Sequence, residues 1–432
     1  MKYGTAGTAA VALLLAWPAA VGQAAMTMEQ LETQIKILQQ QVAELKAMQL
    51  QAAPSAPDVA QAPSRFTQPY SALATEERSP VGRAFKQLTG ATVGGYLTEQ
   101  LENFEGTNRT FNNQRFILFV GREVTDRLRF YSEVEFEQLA SIEADPADSR
   151  GGALEVEQAW IDYGINDLVN VRFGNVLVPF GRFNLTHDDP LQELTSRPLV
   201  DRRVVPTTWT ETGLGLYGSW NPSGDWNVSY ETYVVNGLND HISSAAGGLR
   251  DARGSFGIDN NNDKALVGRI AVSPMPAVEI GVAGYTGEYD KQGHRANGAA
   301  IDWRAQHGPF EMVGDAALFD LARGVNNSGS VVPDRLWGAY VEGRYRFWPQ
   351  WLNGTFLARG FDDPHLTATL RYDHAAIGRF AGAGDFSEDR FTIGLNYRPA
   401  DVFVVKLDYE INNGNIERGG ANGFIASAAL SF

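Results

Sequence analysis

The sequence has no cysteine, few lysines and, beyond its N-terminus, no long apolar run. The absence of cysteine excludes disulfides, thiol chemistry and zinc sites ligated by cysteine. No stretch after the N-terminus approaches the ~18 uninterrupted apolar residues that a transmembrane helix needs. The mean hydropathy of -0.24 resembles that of a soluble protein. A transmembrane β-barrel gives the same average, however, because its strands alternate apolar and polar residues.

Glycine, aromatic residues and acidic residues are abundant. The 432 residues include 45 glycines, 11% are aromatic, and the net charge is -15. Almost all of this charge lies after residue 80, because acids and bases are nearly balanced before it. An acidic balance argues against nucleic acid as a partner. High glycine and aromatic content in short alternating segments favours a barrel over a cytosolic enzyme.

Residues 1–25 have the pattern of a secretory signal peptide. Lys2 supplies the positive charge, Ala9–Ala16 the apolar core, and Gly22-Gln23-Ala24 a small-x-small cleavage site. The apolar run is too short for a membrane anchor. We therefore expect an exported protein.

Residues 26–52 predict a short coiled-coil helix, because their apolar residues recur at spacings of three and four. The seam consists of Ile35 and Val42 at a positions and of Leu31, Leu38 and Leu45 at d positions. So narrow a stripe implies self-association, and its chemistry favours a dimer; a lone periplasmic helix is the alternative. Residues 53–83 are rich in Ala and Pro and predict an extended linker.

Residues 84–432 predict an all-β transmembrane barrel of about sixteen antiparallel strands. The alternating segments are Ala91–Phe104, Phe111–Val124, Leu128–Leu139, Leu154–Ile165, Leu168–Leu177, Thr210–Trp220, Trp226–Asn236, Lys264–Ser273, Ala277–Tyr289, Asn297–Gln306, Phe310–Ala322, Leu336–Trp348, Leu366–His374, Arg390–Arg398, Val402–Ile411 and Gly423–Phe432. Short turns alternate with long loops rich in Gly, Asn and Asp, as in bacterial outer-membrane barrels. The exception is Pro349–Pro364, which is long where a short turn is due.

Aromatic residues cluster at the segment ends and predict the two interfacial girdles of a membrane barrel. They are Tyr96, Phe104, Trp160, Tyr163, Trp220, Trp226, Tyr285, Tyr289, Tyr345, Phe347 and Trp348. With the apolar face of each strand toward lipid, the other face points into the lumen. That face carries both signs of charge, for example on Glu342, Arg371, Asp373, Arg390 and Lys406.

The stretch Leu168–Trp220 contains a strand, a long polar loop and a second strand. A loop of roughly thirty residues is either functional or disordered. The spaced prolines and apolar residues of Val178–Thr208 favour an ordered loop, which we interpret as a constriction folded into a membrane pore. Arginines of this loop and of the lumen faces are candidate anion-binding residues, because guanidinium groups fork onto phosphate and carboxylate oxygens. They are Arg172, Arg182, Arg197, Arg202, Arg203, Arg344, Arg346 and Arg371.

These arginines either attract anions or pair with neighbouring acids and stiffen the wall, since acids are about as common on the same faces. His187 beside Asp188 and Asp189 fits a hydrogen-bonded strut better than a metal site or a catalytic pair. Asp259–Asp263 resembles the start of a calcium loop but lacks the required glycine and final glutamate. The sequence has no nucleophile elbow, phosphate-binding loop or HExxH motif. We expect no enzyme activity, catalytic residue, metal or cofactor.

The segments FGNVLVPFGRFN, HDDPLQELTSRPLV, RRVVPTTWTETGLGLYG and FNNQRFILFVGREVTDRLRFYSEVEFEQ resemble the phosphate-selective O and P porins of Gram-negative outer membranes. The resemblance covers roughly residues 84–432 and implies sixteen strands, a trimer, a constriction loop and passive diffusion of anions. Phosphate selectivity in the family depends on a lysine cluster and an arginine ladder, and lysine is scarce here. A general, weakly selective pore is therefore favoured. The carboxy-terminal Phe432 resembles the signal read by the outer-membrane assembly machinery.

We therefore expect a Gram-negative outer-membrane porin with its coiled coil in the periplasm. Its partners would be outer-membrane lipid, two further copies in a homotrimer, the assembly machinery and small hydrophilic solutes, with a preference for anions such as phosphate. The alternative is a non-conducting structural or adhesive barrel, whose long loops bind outside partners.

Overall fold

The computed structural model describes residues 89–138, 152–222, 224–243, 246–379 and 385–432. Within them the chain forms sixteen β-strands. They are β1 (Ala91–Phe104), β2 (Thr110–Glu123), β3 (Leu128–Glu137), β4 (Ala153–Gly164), β5 (Asn170–Leu177), β6 (Thr210–Trp220), β7 (Asn227–Val235), β8 (Ala265–Met275), β9 (Val278–Glu288), β10 (Arg295–His307), β11 (Phe310–Leu321), β12 (Arg335–Phe347), β13 (His365–Arg379), β14 (Asp385–Ala400), β15 (Phe403–Gly414) and β16 (Gly423–Ser431). The predicted signal peptide, coiled coil and linker lie outside the described residues and stay predictions.

The strands form one closed antiparallel barrel. Each strand pairs with its neighbours in sequence, and β1 closes the ring by pairing with β16. At this seam Tyr96 lies opposite Ser431 and Phe104 lies opposite Gly423. Closure satisfies the strand edges, which is the condition for a sheet to cross lipid. The predicted all-β barrel of sixteen strands is confirmed.

The strands present an apolar outer face and a mixed inner face. In β12, Leu336, Tyr340 and Glu342 are buried, whereas Trp337 and Val341 are exposed on the outside. The predicted lumen-facing charges are also buried, namely Glu342, Arg371, Asp373, Arg390 and Lys406. The faces were predictable because successive side chains of a strand point to opposite sides.

β13 and β14 extend further than the sequence predicted. The alternating segments end at His374 and begin at Arg390, whereas the two strands continue to Arg379 and from Asp385. Their pairing runs through an irregularity between Ala376 and Gly378. A bulge breaks the two-residue period without ending the ladder, so periodicity alone stops too early.

The girdle prediction is wrong for part of the aromatic set. The residues buried inside the barrel are Tyr96, Phe104, Trp160, Tyr285 and Tyr289. Those exposed on the outer surface are Tyr163, Trp220, Trp226 and Tyr345. The side of the strand decides the outcome: Tyr96 shares a face with buried Thr98, and Trp160 shares one with buried Asp162. Position near a strand end therefore does not show which way a ring points.

The connection between β5 and β6, hereafter the 178–209 loop, supplies a large part of the apolar core. It contains two short helices, α1 (Arg182–Leu185) and α2 (Val200–Arg203). Phe180 and Trp209 are fully buried, and their rings lie 5.1 and 6.1 Å from that of Phe319 on β11. Such ring contacts hold the loop against the inner wall. None of the helices in the described ranges is long and apolar enough to span a bilayer.

Candidate functional site

The 178–209 loop contacts walls that lie nearly opposite one another in the ring. It leaves from β5, and Glu193 pairs with Arg398 of β14 at 3.0 Å. The hydroxyl oxygen of Thr195 lies 2.7 Å from that of Ser427 on β16. Burial disfavours ionisation of Glu193, but Arg398 and Arg344 outweigh it and hold the pKa of this carboxyl below its usual value. The loop is thus attached to the far wall by charge as well as by hydroxyl contacts.

Two buried carboxylates of the far wall also hold the loop backbone. The Thr195 N–H donates to Asp408 of β15 at 2.7 Å, and the Leu199 N–H donates to Asp373 of β13 at 2.8 Å. Hydrogen bonds to an ionised acceptor are roughly twice as strong as neutral ones. These bonds fix the middle of the loop against β13 and β15.

Arg172 on β5 is a wall residue. Its Nε lies 2.7 Å from a carboxylate oxygen of Asp162 on β4. The guanidinium also lies over the rings of Trp160 and Tyr217, at 4.2 and 4.7 Å from their centroids. The side chain is 4% exposed, so an ion pair and two cation–π contacts enclose it. Arg172 is therefore not free to contact a solute.

Replacing Arg172 by alanine is expected to destabilise the barrel by roughly 1.5–3 kcal/mol, the range for a hydrogen bond to a charged group, because buried Asp162 would keep Arg129 at 2.6 Å but lose its second guanidinium partner. Urea unfolding of the reconstituted protein measures this. The control is Arg335→Ala, which removes an exposed arginine paired with exposed Asp320. We expect no measurable change there, and equal loss in both variants would contradict the role given to Arg172.

Arg344 and Arg371 also belong to the wall. Arg344 lies 2.6 Å from Glu342 and 2.9 Å from Glu311. Arg371 lies 3.0 Å from Asp373 and 3.5 Å from the same Glu342. Each guanidinium therefore has two carboxylates around it, and the local positive charge is neutralised.

Arg346 and Arg182 lie nearer to the end of the barrel with the short turns. Arg346 is half exposed and pairs with Asp363 at 2.6 Å. Arg182 lies 3.9 Å from Glu279 and lines a cavity of about 290 Å³ between the loop and β6–β9. Both retain some exposure, but each has a nearby acid.

Arg202 and Arg203 of α2 share a single carboxylate. Their nitrogens lie 3.0 and 3.2 Å from the same oxygen of Glu417, which follows β15. Arg390 approaches the other oxygen of Glu417 at 2.8 Å. Burial opposes ionisation of Glu417, yet Arg202, Arg390 and Arg203 hold its pKa well below the usual value. Three arginines therefore share Glu417, and of these Arg390 also lies 3.2 Å from Glu388.

The outer arginine cluster, defined as Arg197, Arg202 and Arg250, is the least neutralised group of the predicted region. Arg197 and Arg250 both donate to the backbone carbonyl of Thr207, each at 2.8 Å. In the described part of the chain, neither forms an ion pair with a carboxylate. Burial, then repulsion from Arg253, Arg197 and Arg202, lowers the pKa of Arg250 to about 9. Arg250 stays charged at neutral pH, and the cluster lines a polar cavity of about 300 Å³.

A glycine brings Arg250 into the cluster. The β7–β8 connection reaches α2 through Gly248, and the next N–H, of Leu249, donates to the carbonyl of Arg203 at 3.0 Å. Gly248 has a φ of +62°, and an added Cβ would lie 2.1 Å from that carbonyl oxygen. Only glycine allows both the left-handed backbone and the close approach.

Sequence reasoning placed Arg197, Arg202 and Arg203 in the candidate set but missed Arg250 and Glu417. These two residues come from the β7–β8 and β15–β16 connections, far from α2 in sequence. The glycine pair at 247–248 is the local sequence signal that the backbone there approaches another segment closely, but it does not indicate which segment. Six of the eight predicted arginines thus pair with acids on the wall or in the loop, and the other two, Arg197 and Arg202, lie in the outer arginine cluster.

His187 is held as a strut. Its Nδ1 lies 3.0 Å from the carbonyl of Asn184, and its Nε2 lies 3.4 Å from Glu157 on β4. The first contact lies within the loop, and the second joins the loop to the near wall. Across the residues that the structure describes, no group of three or more His, Asp or Glu side chains is placed to hold a metal ion.

Comparison with known proteins adds a family and a fold. The family model for phosphate-selective porin O and P matches residues 93–332. A protein of Aquifex aeolicus (strain VF5), described only as uncharacterized, is 26% identical over 367 residues, 79% of each chain. Among solved structures, Salmonella typhi OmpF in complex with daunomycin covers 79% of this chain and 97% of its own, with 12% identity and a TM-score of 0.56. An anion-selective porin from Comamonas acidovorans covers 79% and 99%, with 11% identity and a TM-score of 0.50. These two likenesses show the porin fold.

Proposed function

This chain belongs to the family of phosphate-selective porins O and P, and from that membership we propose an outer-membrane channel for small hydrophilic solutes with a preference for anions. The outer arginine cluster carries the proposal, because Arg197 and Arg250 meet at a carbonyl and not at a carboxylate. Their remaining N–H groups can replace water around an entering anion, and the excess positive field lowers the cost of its desolvation. Solutes diffuse through, and no covalent step is involved.

The preference is expected to be moderate and general, because acids line the same cavity. Asp189 lies 3.4 Å from Arg115, and Glu102 lies 3.5 Å from Arg418. These two arginines are therefore compensated, as Arg202 is by Glu417, and the excess of positive charge comes from Arg197 and Arg250. The scarcity of lysine points the same way, since the one lysine on β15 donates to the loop backbone.

We further propose that the 178–209 loop narrows the pore. Its ring contacts with Phe319 and its bonds to β13–β16 support this role, because they join the loop to walls on both sides of the lumen. A constriction made this way sets the size of the solute, while the cluster sets the local field.

A disulfide tests the position of the loop. Thr195→Cys with Ser427→Cys is expected to cross-link on oxidation, because the two side-chain oxygens lie 2.7 Å apart. The natural chain has no cysteine, so any disulfide is the introduced one. Shifted migration on non-reducing gels, with unchanged conductance, is the expected result. Thr195→Cys with Ser219→Cys, on β6, is the control, and cross-linking only in that pair would contradict the placement.

Planar-bilayer recording tests the function itself. Under a KCl gradient we expect stepwise openings with a reversal potential on the anion side, and added phosphate should reduce the current. Cation-selective openings that phosphate does not block would support the channel and contradict the anion preference. A protein that never conducts would support the structural barrel instead.

We also propose that the channel is a homotrimer, exported by its signal peptide, with a periplasmic coiled coil. The C-terminal Phe432 exchanges two backbone hydrogen bonds with Gly95 of β1, at 3.0 and 3.2 Å. Its ring stacks on that of Phe116 on the outer surface, 5.9 Å away. These contacts place Phe432 at the closing strand, and we propose that the assembly machinery reads this aromatic residue before the barrel closes.

A further inference from the structure

The β12–β13 connection, residues 348–364, departs from the pattern of its end of the barrel. The neighbouring connections at this end are short turns, such as 276–277 and 308–309. In outer-membrane barrels the short turns face the periplasm. Residues 348–364 form a folded segment, in which a short 3₁₀-helix (Gln350–Leu352) begins the chain reversal. We call it the rim segment.

The rim segment packs against the outer wall of the barrel. Tyr397 lies on the lipid-facing side of β14, in line with exposed Ile393 and Leu395. Its hydroxyl donates to the carbonyl of Leu357 at 2.5 Å, and its ring stacks on Trp348 with centroids 6.4 Å apart. The rim segment therefore turns outward, over the surface that faces lipid, and away from the lumen.

Three large side chains project from this folded segment into the surroundings. Trp351 is 77% exposed and Phe356 is 82% exposed, and Phe361 is exposed as well. Leu352 between them is buried, so the segment has a packed side and an aromatic side. Exposed aromatic groups of this size mark a contact surface. An aromatic patch on the outer wall lies where the segment begins: the ring of Tyr345 is 4.7 Å from that of Phe310 and 5.6 Å from that of Phe347, the last residue of β12.

We propose that the rim segment is an interfacial anchor that inserts Trp351, Phe356 and Phe361 among the phospholipids of the inner leaflet. Tryptophan and other aromatic groups favour the headgroup boundary, where an apolar ring and a polar edge are both satisfied. Exposed Arg359 in the same segment is placed to meet lipid phosphate. Continuity with the lipid-facing wall of β12–β14 selects lipid over a soluble partner.

The anchor would also show which part of the barrel wall faces lipid and which part is left for contact with a second copy. The wall formed by β12, β13 and β14 faces phospholipid, so a second copy of the chain would have to contact another sector. The anchor rests on the proposed membrane location of the barrel and does not depend on anion preference. Tryptophan fluorescence detects the anchor and bilayer recording detects the channel, so either can fail without the other.

Depth-dependent quenching of Trp351 tests the anchor in the full chain. The protein and its Trp351→Phe variant are reconstituted in phosphatidylethanolamine–phosphatidylglycerol vesicles. The difference between their emission spectra isolates the emission of Trp351 from that of the other eight of nine tryptophans. Lipids brominated just below the headgroup should remove most of the Trp351 emission, and lipids brominated near the bilayer centre should remove less. Trp337, exposed on the lipid side of β12, is the positive control by Trp337→Phe. Buried Trp209, by Trp209→Phe, is the negative one.

Two outcomes would overturn the proposal. Trp351 emission that is quenched by aqueous iodide and insensitive to brominated lipid would place the segment in the periplasm. Emission insensitive to both quenchers would show a protein cover, such as a second copy. Phe356→Trp in the Trp351→Phe background repeats the measurement at a second position, so a local disturbance at residue 351 does not decide the result.

Discussion

Replacing Arg197 and Arg250 together by alanine is expected to remove the anion preference of the pore. Both guanidiniums point to one carbonyl oxygen of Thr207, so their charge is available to a passing anion. Each contributes on the order of 1 kcal/mol of attraction, the value for charges about 4 Å apart in water. That energy corresponds to about a fivefold change in relative anion permeability per charge and roughly 25-fold for both. The reversal potential under a KCl gradient measures the change.

Two further variants test whether the effect depends on the position of the charge and on the shape of the guanidinium group. Arg335→Ala removes the same charge from an exposed position paired with Asp320, and we expect its reversal potential to equal that of the unmodified protein. Arg197→Lys with Arg250→Lys keeps the charge but loses the planar fork. It should retain the reversal potential and weaken the phosphate block. If the alanine pair leaves the reversal potential unchanged, the outer arginine cluster does not set selectivity.

The strands and their faces were predictable because both depend on local periodicity. The predicted strand Thr210–Trp220 has the observed ends, and the alternation of side chains alone places Arg371 and Asp373 on the lumen side, where both are buried. A two-residue period carries this information within a single strand. It is lost where a bulge shifts the phase, as beside Gly378.

The contacts of the loop were not predictable, because they join distant parts of the chain. Glu193 reaches Arg398, and Thr195 reaches Asp408. Nothing near Thr195 in sequence indicates which far-wall residue it meets; ring closure and strand stagger decide that. The pairing of wall arginines with acids, left open by the sequence, follows from the same geometry.

The outer arginine cluster shows why composition alone misjudges a site. The chain carries a net charge of -15, yet Arg197, Arg202 and Arg250 are brought together by two separate connections. Arg202 shares Glu417 with Arg203 and Arg390, and within the described residues Arg197 and Arg250 meet at the Thr207 carbonyl without an ion pair to a carboxylate. A local field depends on which charges are left after pairing, and pairing is a property of the fold.

Replacing residues 179–208 by Asn-Gly is expected to raise single-channel conductance severalfold. The ladder already continues to the ends of the loop, since the Val178 N–H donates to the carbonyl of Trp209 at 2.9 Å. A two-residue turn can therefore close β5 and β6 without changing their register. The deletion removes Arg197 and Arg202 with the constriction, so the anion preference and the phosphate block should fall as well.

A matched deletion shows that the effect belongs to this loop. The Leu321 N–H donates to the carbonyl of Asp334 at 2.9 Å, so residues 322–333 can likewise be replaced by a short turn. That connection follows β11 at the other end of the barrel from the rim segment, and we expect its removal to leave conductance nearly unchanged. Far-ultraviolet circular dichroism of both variants must retain the β signal. Equal conductance in both would mean that the 178–209 loop, although bonded to opposite walls, leaves a wide path beside it and that the narrowest part of the pore is formed by the strands.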